Sequence, residues 1–261
     1  RLVGDKKDED VLLLMPKGGG DPVEIEKKLL RPWLFGRDVE RWHIAWDGWY
    51  VLFPYVKIGD TYKLIPCKEN ENIRPFCNYA EQAPRMEEFT KAWDYLNEHR
   101  EVLSKREGGR FVHDWYGAAR PQNLELYEQP KLVLQINSRL PDIAYDAERG
   151  FVFQAGGRGG GVYGIALNAE RIDPWFALAL LNSSVLDYAL KHMAFVYTGR
   201  TYSYSDSFIK WLPLLVPGVQ AKEKLRIAKR LAQLAQELTA LKGQLRAKER
   251  ERVAFPGPQL E

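Results

Sequence analysis

The chain has 261 residues, enough for one large domain or two small ones around a buried core. Its 45% hydrophobic and 28% charged residues are the ordinary mix of a globular protein, and a net charge of +3 does not mark the whole chain as a polyanion binder. The absence of any run of about 18 apolar residues argues against a membrane span. Cys67 and Cys77, with no histidine at ligand spacing, argue against a structural zinc site and fit a reducing, cytoplasmic setting.

In chain order, Val11–Met15 is a short apolar run closed by Pro16 and Gly18–Gly20, which reads as a strand and turn. The charged stretch Asp21–Leu30 reads as a helix start. Arg31–Asp38 is a loop leading into an aromatic block from Trp42 to Tyr55, read as a hairpin with Asp47-Gly48 at its turn. From Pro84 to Arg106 the period becomes helical, with Met86, Phe89, Trp93, Leu96 and Leu103 on one face and Gly108-Gly109 as the stop. His113–Asn123 is a loop. Lys131–Ile136, Ile143–Tyr145 and Phe151–Phe153 read as strands, and Gly156–Gly161 as a glycine-rich loop around Arg158. Pro174 to Ala194 is apolar on most sides and reads as a central helix, with Asp173 as its N-cap.

The last helix has the clearest periodicity. Ile227, Leu231, Leu234, Leu238, Leu241 and Leu245 recur at alternating intervals of four and three, a heptad seam that suits either pairing with another long helix or packing on a core. Between Ala221 and Arg252 ten Lys and Arg face four Glu, so this helix carries the whole positive excess; the excess suits either a phosphate backbone or a solvated face. Pro213, Pro217 and Gly218 precede it. The expected division is a body over residues 1–218 and a helical spacer or docking arm over 219–261, and the expected class is α+β with a mixed or antiparallel sheet.

Signatures of catalysis are missing. There is no glycine-rich phosphate cradle ending in Gly-Lys-Ser or Gly-Lys-Thr, no Gly-x-Ser-x-Gly elbow and no Asn-Pro-Pro-aromatic tetrapeptide. His43, His99, His113 and His192 stand singly. The expectation is therefore a chain without catalytic residues, metal site or cofactor of its own.

The order of short motifs carries a resemblance. Leu30-Arg31-Pro32 and Phe35-Gly36-Arg37-Asp38-Val39 precede an aromatic strand ending Phe53-Pro54-Tyr55. Trp93-Asp94-Tyr95-Leu96, Trp115-Tyr116, Arg120-Pro121-Gln122 and Pro130-Lys131-Leu132-Val133 follow, then Leu180-Leu181-Asn182-Ser183, Thr201-Tyr202-Ser203-Tyr204 and Trp211-Leu212-Pro213-Leu214. The series, from about Leu29 to Leu215, resembles the TaqI-like C-terminal specificity domain of adenine-specific DNA methyltransferases and type IIG restriction-modification enzymes. It is also similar to the target-recognition domains of type I specificity subunits. The resemblance implies an α+β body that reads base edges in double-stranded DNA, followed by a helical spacer. It implies a methyltransferase domain or subunit upstream of Arg1, which would use S-adenosylmethionine, and Mg2+ where cleavage is added.

Base readers must be donors and acceptors projected from loops on a rigid body, with Arg suited to guanine and Asn or Gln to adenine. The candidates are Arg120, Gln122 and Asn123, then Arg158, then Arg200, Tyr202 and Tyr204, with Arg37 and Lys210 as phosphate anchors. Each has a bland alternative: Arg120 pairing with Glu125, Arg158 in an unengaged loop, the tyrosines packed on the helix after Pro174. Two other classes stay open, a nuclease or methyltransferase with an unrecognised site and a dimerising protein-interaction scaffold.

Overall fold

The computed structural model describes residues 1–5, 10–148, 150–154, 161–216 and 221–254. In chain order the strands are β1 Leu2–Asp5, β2 Val11–Leu14, β3 Val23–Glu26, β4 Leu30–Pro32, β5 Val39–Glu40, β6 His43–Ile44, β7 Tyr50–Leu52, β8 Tyr55–Ile58 and β9 Thr61–Leu64. Helices α1 Thr90–Glu98 and α2 Arg100–Ser104 follow. After them come β10 Lys131–Gln135, β11 Asn137–Ser138, β12 Ile143–Asp146, β13 Val162–Ala166, α3 Pro174–Leu181, α4 Ser184–Met193, β14 Val196–Tyr197, β15 Thr201–Ser203, α5 Asp206–Ile209 and α6 Lys222–Ala254. The class is α+β, and every strand pairing among the described residues is antiparallel.

The chain divides into two compact units, Arg1–Trp33 with Gly48–Glu128, and Leu34–Asp47 with Gln129–Glu261. This differs from the expected division at 218/219, because α6 packs within the second unit. The chain passes from the second unit back to the first between Asp47 and Gly48. That dipeptide is therefore not a hairpin turn: β6 pairs with β5, and β7 pairs with β4. Gly48, at φ +77°, supplies the left-handed backbone of the crossover.

In the first unit, β1-β2-β3 form a small sheet. The expected helix near Asp21–Leu30 is strand β3 instead, because Ile25 inserts into a core with Leu12, Ile65, Met86, Leu96 and Trp115. Glu26 at the end of β3 explains where α1 starts. Its carboxylate accepts the N–H groups of Lys91 and Ala92 at 2.9 Å each, filling donors that a helix N-terminus leaves open. The helix predicted from Pro84 begins only at Thr90, after a 3-10 turn over Met86–Glu88, and it breaks at His99 into α1 and α2.

In the second unit, β10 is the centre of the sheet β12-β10-β13. Its run Lys-Leu-Val-Leu is apolar on both faces because both are covered. Leu132 and Leu134 meet Phe176, Leu178 and Leu181 of α3, while Val133 meets Leu34, Val39 and Phe151. Asp173 caps α3 as the sequence predicts, accepting the Phe176 N–H at 2.9 Å. The predicted single helix to Ala194 is two, broken at Asn182. That side chain is fully buried and donates to the Ile143 carbonyl at 2.9 Å, while Ser183 caps α4.

Helix α6 lies on α3 by a face the periodicity did not select. Ala228, Ala232 and Ala235 are buried, whereas Ile227, Leu238, Leu241 and Leu245 are 42–60% exposed and Leu231 and Leu234 half-buried. Alanine lets two helix axes approach closely, and the leucine seam is left outward. Several basic residues are used internally. Arg246 forks onto Glu40 and also meets Glu249, Lys242 stands 3.3 Å from Glu40, Arg226 pairs with Glu223, and Arg250 donates to the Trp46 carbonyl.

Burial alone would raise the pKa of Glu40, but Arg246 and Lys242 outweigh it and hold the carboxyl below its usual 4.5. A carboxylate more acidic when folded gives stability that is present above the unfolded pKa and lost as pH falls through the lowered one. Urea titrations should therefore show Glu40→Gln less stable than the wild type at pH 7, with the gap closing as the pH falls below the ordinary 4.5. A gap independent of pH would mean that the contact is not ionic.

Candidate nucleic-acid interface

The sequence-predicted readers fall in both units. Arg120, Gln122 and Asn123 belong to the first, on a loop whose root is fixed from beneath. There the Arg106 guanidinium donates to the carbonyls of Trp115 (2.6 Å) and Gly117 (2.9 Å). Asn70, almost fully buried, donates to the His113 carbonyl at 2.7 Å and to the Tyr116 hydroxyl at 3.0 Å. Tyr55, its pKa pushed up to about 12 by burial, accepts the Ala118 N–H. Above this root the three candidates are exposed, and Asn123 takes a left-handed φ of +55° as the chain enters the turn Leu124–Tyr127. The alternative partner of Arg120, Glu125, forms no ion pair with it.

In the second unit the chemistry gathers on the sheet β11-β15-β14. Strands β14 and β15 make a hairpin in which Tyr197 lies opposite Thr201. Its tip, Thr198–Arg200, places two successive residues in left-handed backbone, Gly199 at φ +74° and Arg200 at φ +60°. Gly tolerates this region and Arg does so rarely, so the tip is a shape the flanking pairing enforces. Arg200 is exposed on it.

Pairing of β11 with β15 brings a residue that the sequence reading did not single out. Arg139, one position past β11, reaches the tip and donates from Nε to the Gly199 carbonyl at 3.1 Å. The turn behind it is set by Ser138, which is buried and donates to the Asp142 carboxylate. Two exposed guanidinium groups thus share one hairpin tip, and neither forms an ion pair among the described residues. From Tyr188 to Ser205 the sequence has no Asp or Glu. Beside the tip, Phe195, Val196 and Tyr197 are 50–70% exposed, as is Tyr188 on α4.

The remaining candidates sort differently. Tyr202 is half-buried, with Lys191 Nζ over its ring at 5.2 Å, so one face of that ring is covered. Tyr204 must be withdrawn as a reader. It is 2% exposed in the core and its hydroxyl donates to Asp187 at 2.6 Å, with burial first and Asp187 second raising its pKa well above the usual phenol range. Strand alternation would put Tyr202 and Tyr204 on one face; the difference arises because Tyr204 lies just past the end of β15, in the core and bonded to Asp187 of α4. Arg37 is exposed but lies over the Phe35 ring at 4.7 Å and 3.8 Å from Asp38, and Lys210 is exposed beside the open indole of Trp211. Arg158 lies outside the described residues.

Among the described residues no helix is long and apolar enough to cross a membrane, and no three His, Cys, Asp or Glu side chains cluster as metal ligands. No protein-family model matches the chain, and no curated protein matches it.

Proposed function

We propose that this chain is a sequence-reading module for double-stranded DNA, with the β14–β15 hairpin entering the major groove. A two-stranded ribbon fits that groove, and Arg is the residue that most often reads guanine there. The observation that carries the reading is the hairpin tip, where exposed Arg139 and Arg200 stand together with no acidic neighbour in sequence from Tyr188 to Ser205. Tyr197 and Phe195 offer apolar surface for thymine methyl groups. Arg120, Gln122 and Asn123 form a second exposed donor set on the first unit, and Arg37 and Lys210 suit phosphate contacts.

On this reading adenine methylation, and cleavage where present, belongs to a domain or subunit outside the chain, which holds S-adenosylmethionine and Mg2+ in the bacterial cytoplasm. The test is selection from a pool of random duplexes by the full chain. One enriched motif is expected, with affinity falling as salt rises. No enrichment, or binding indifferent to salt, removes the proposal.

A second reading, a protein-interaction scaffold, is favoured by the outward leucine seam of α6. If the seam pairs two copies, the chain sediments as a dimer and Leu238→Glu with Leu241→Glu returns a monomer. Both side chains are exposed, so the body should lose less than about 0.5 kcal/mol of stability. A chain that is monomeric before and after substitution removes self-pairing.

A further inference from the structure

A cavity of about 420 Å3 lies wholly within the second unit, among β6, the end of β12 and the C-terminal half of α6. The proposed DNA reading makes no use of it. Its size falls in the range of roughly 300–1,000 Å3 typical of small-ligand sites. Rings of Trp42, Trp46, Tyr145 and Phe151 line it, with Trp46 and Phe151 edge to face at 5.7 Å.

Two features make this a shaped site rather than a packing gap. Trp42 sits at φ +76°, a left-handed conformation that is a genuine outlier for a bulky residue and marks a constraint imposed by its surroundings. It is held there by its N–H bond to the Ile143 carbonyl at 2.9 Å. Across the cavity α6 carries Gly243 in its interior, where alanine would favour the helix by about 1 kcal/mol. A Cβ there would stand 3.5 Å from His43 Cε1, in ordinary contact, so sterics do not demand glycine. The His43 ring is what faces α6 at this position.

The polar groups differ in availability. Arg246 is committed to Glu40 and Glu249, and Asp146 to Lys131 and the Phe151 N–H. Arg250 spends one Nη on the Trp46 carbonyl and keeps its other N–H groups for an anion. Glu148 is exposed on the lining with a carboxylate that accepts ring or amino N–H donors. His43 presents an imidazole whose pKa is lowered by burial and by the nearby Arg246, Arg250 and Lys242, against the opposing pull of Glu40.

We infer that this cavity binds one nucleobase bearing a 5′-phosphate, the base against the indole rings with its donor edge toward Glu148 and the phosphate at Arg250. Aromatic walls bind any base by its π face, while the paired carboxylate and guanidinium distinguish a nucleotide from a plain arene. The same chemistry is offered by a free nucleotide and by a base unstacked from a strand.

The experiment is tryptophan-fluorescence titration of the full chain with the four nucleoside 5′-monophosphates, adenosine, naphthyl phosphate and single-stranded DNA. Saturable quenching by a mononucleotide is expected. Arg250→Gln should weaken the monophosphate about tenfold while leaving adenosine within about twofold, and Glu148→Gln should weaken both; both side chains are exposed, and circular dichroism verifies the fold. Quenching by single-stranded DNA alone, lost in Arg250→Gln, also supports the site and identifies its source as a strand. No quenching by any nucleotide or strand, equal binding of naphthyl phosphate, or affinities unmoved by both substitutions would overturn it.

Discussion

Lys131→Ala is expected to cost about 3–5 kcal/mol of stability, read from urea unfolding midpoints. Lys131 and Asp146 lie opposite each other in the β10–β12 register, 3% and 1% exposed at their side chains, with Nζ 2.7 Å from Oδ2. Removing the amine leaves the Asp146 carboxylate buried without its lysine, still bonded to the Phe151 N–H at 2.9 Å. The charge pair itself is not the source of the stability. Burial lowers the Lys131 pKa and the attraction of Asp146 only partly restores it, so desolvation is the larger effect.

Between that lowered value and the ordinary 10.5, the unfolded chain binds more protons than the folded one. Wild-type stability therefore rises with pH through that window, and Lys131→Ala should lose this slope. Lys131→Met with Asp146→Leu removes both charges and should recover part of the loss, less about 1–3 kcal/mol for the orphaned Phe151 N–H. A loss under about 1 kcal/mol in the single variant would show that water or another cation reaches Asp146.

Arg139→Ala and Arg200→Ala are each expected to lower discrimination between the selected duplex and its base-substituted versions by about 1–3 kcal/mol. The two guanidinium groups share the hairpin tip but differ in freedom. Arg139 is tethered through Nε to Gly199, so its Nη groups project in a fixed direction, whereas Arg200 is oriented by its left-handed backbone. Arg200→Gly keeps a residue suited to φ +60° and isolates the side chain from the backbone.

Arg200→Lys keeps the charge and loses the planar fork. A reader should lose specificity in that variant with little change in salt dependence. A phosphate anchor should behave the other way, with Arg200→Ala reducing the salt slope by about one and all sequences weakened alike. Unchanged affinity, specificity and salt slope in both alanine variants would remove the hairpin from any interface with DNA.

What could be read directly were features fixed by neighbours in the chain. The alternation of strand and helix periods gave the α+β class. Lys131–Ile136 was visible as a strand because its apolar run is short, contains Val133 and Ile136 and follows Pro130, and Asp173-Pro174 marked the start of α3 because a cap acts within one turn. The length of α6 followed from a heptad that no proline interrupts and that runs on across Gly243. Arg200 was identifiable as a loop donor because Gly199 precedes it. Arg139 was not, since one arginine after a strand is commonplace and its place at the tip depends on β11 meeting β15 some sixty residues later.

Other features were decided by contacts distant in sequence. Which face of α6 is covered turned on α3, whose bulky apolar side chains admit the alanines and leave Leu238, Leu241 and Leu245 outward. Tyr204 and Tyr202 are equivalent in composition, and only the packing of α4 and Asp187 buries one of them. Asp47-Gly48 has the residues of a tight turn, yet β4 and β5 each captured a different strand on either side of it. Backbone propensity acts over a few residues and was legible; burial depends on what lies across the gap, and that is set when separated segments of the chain meet.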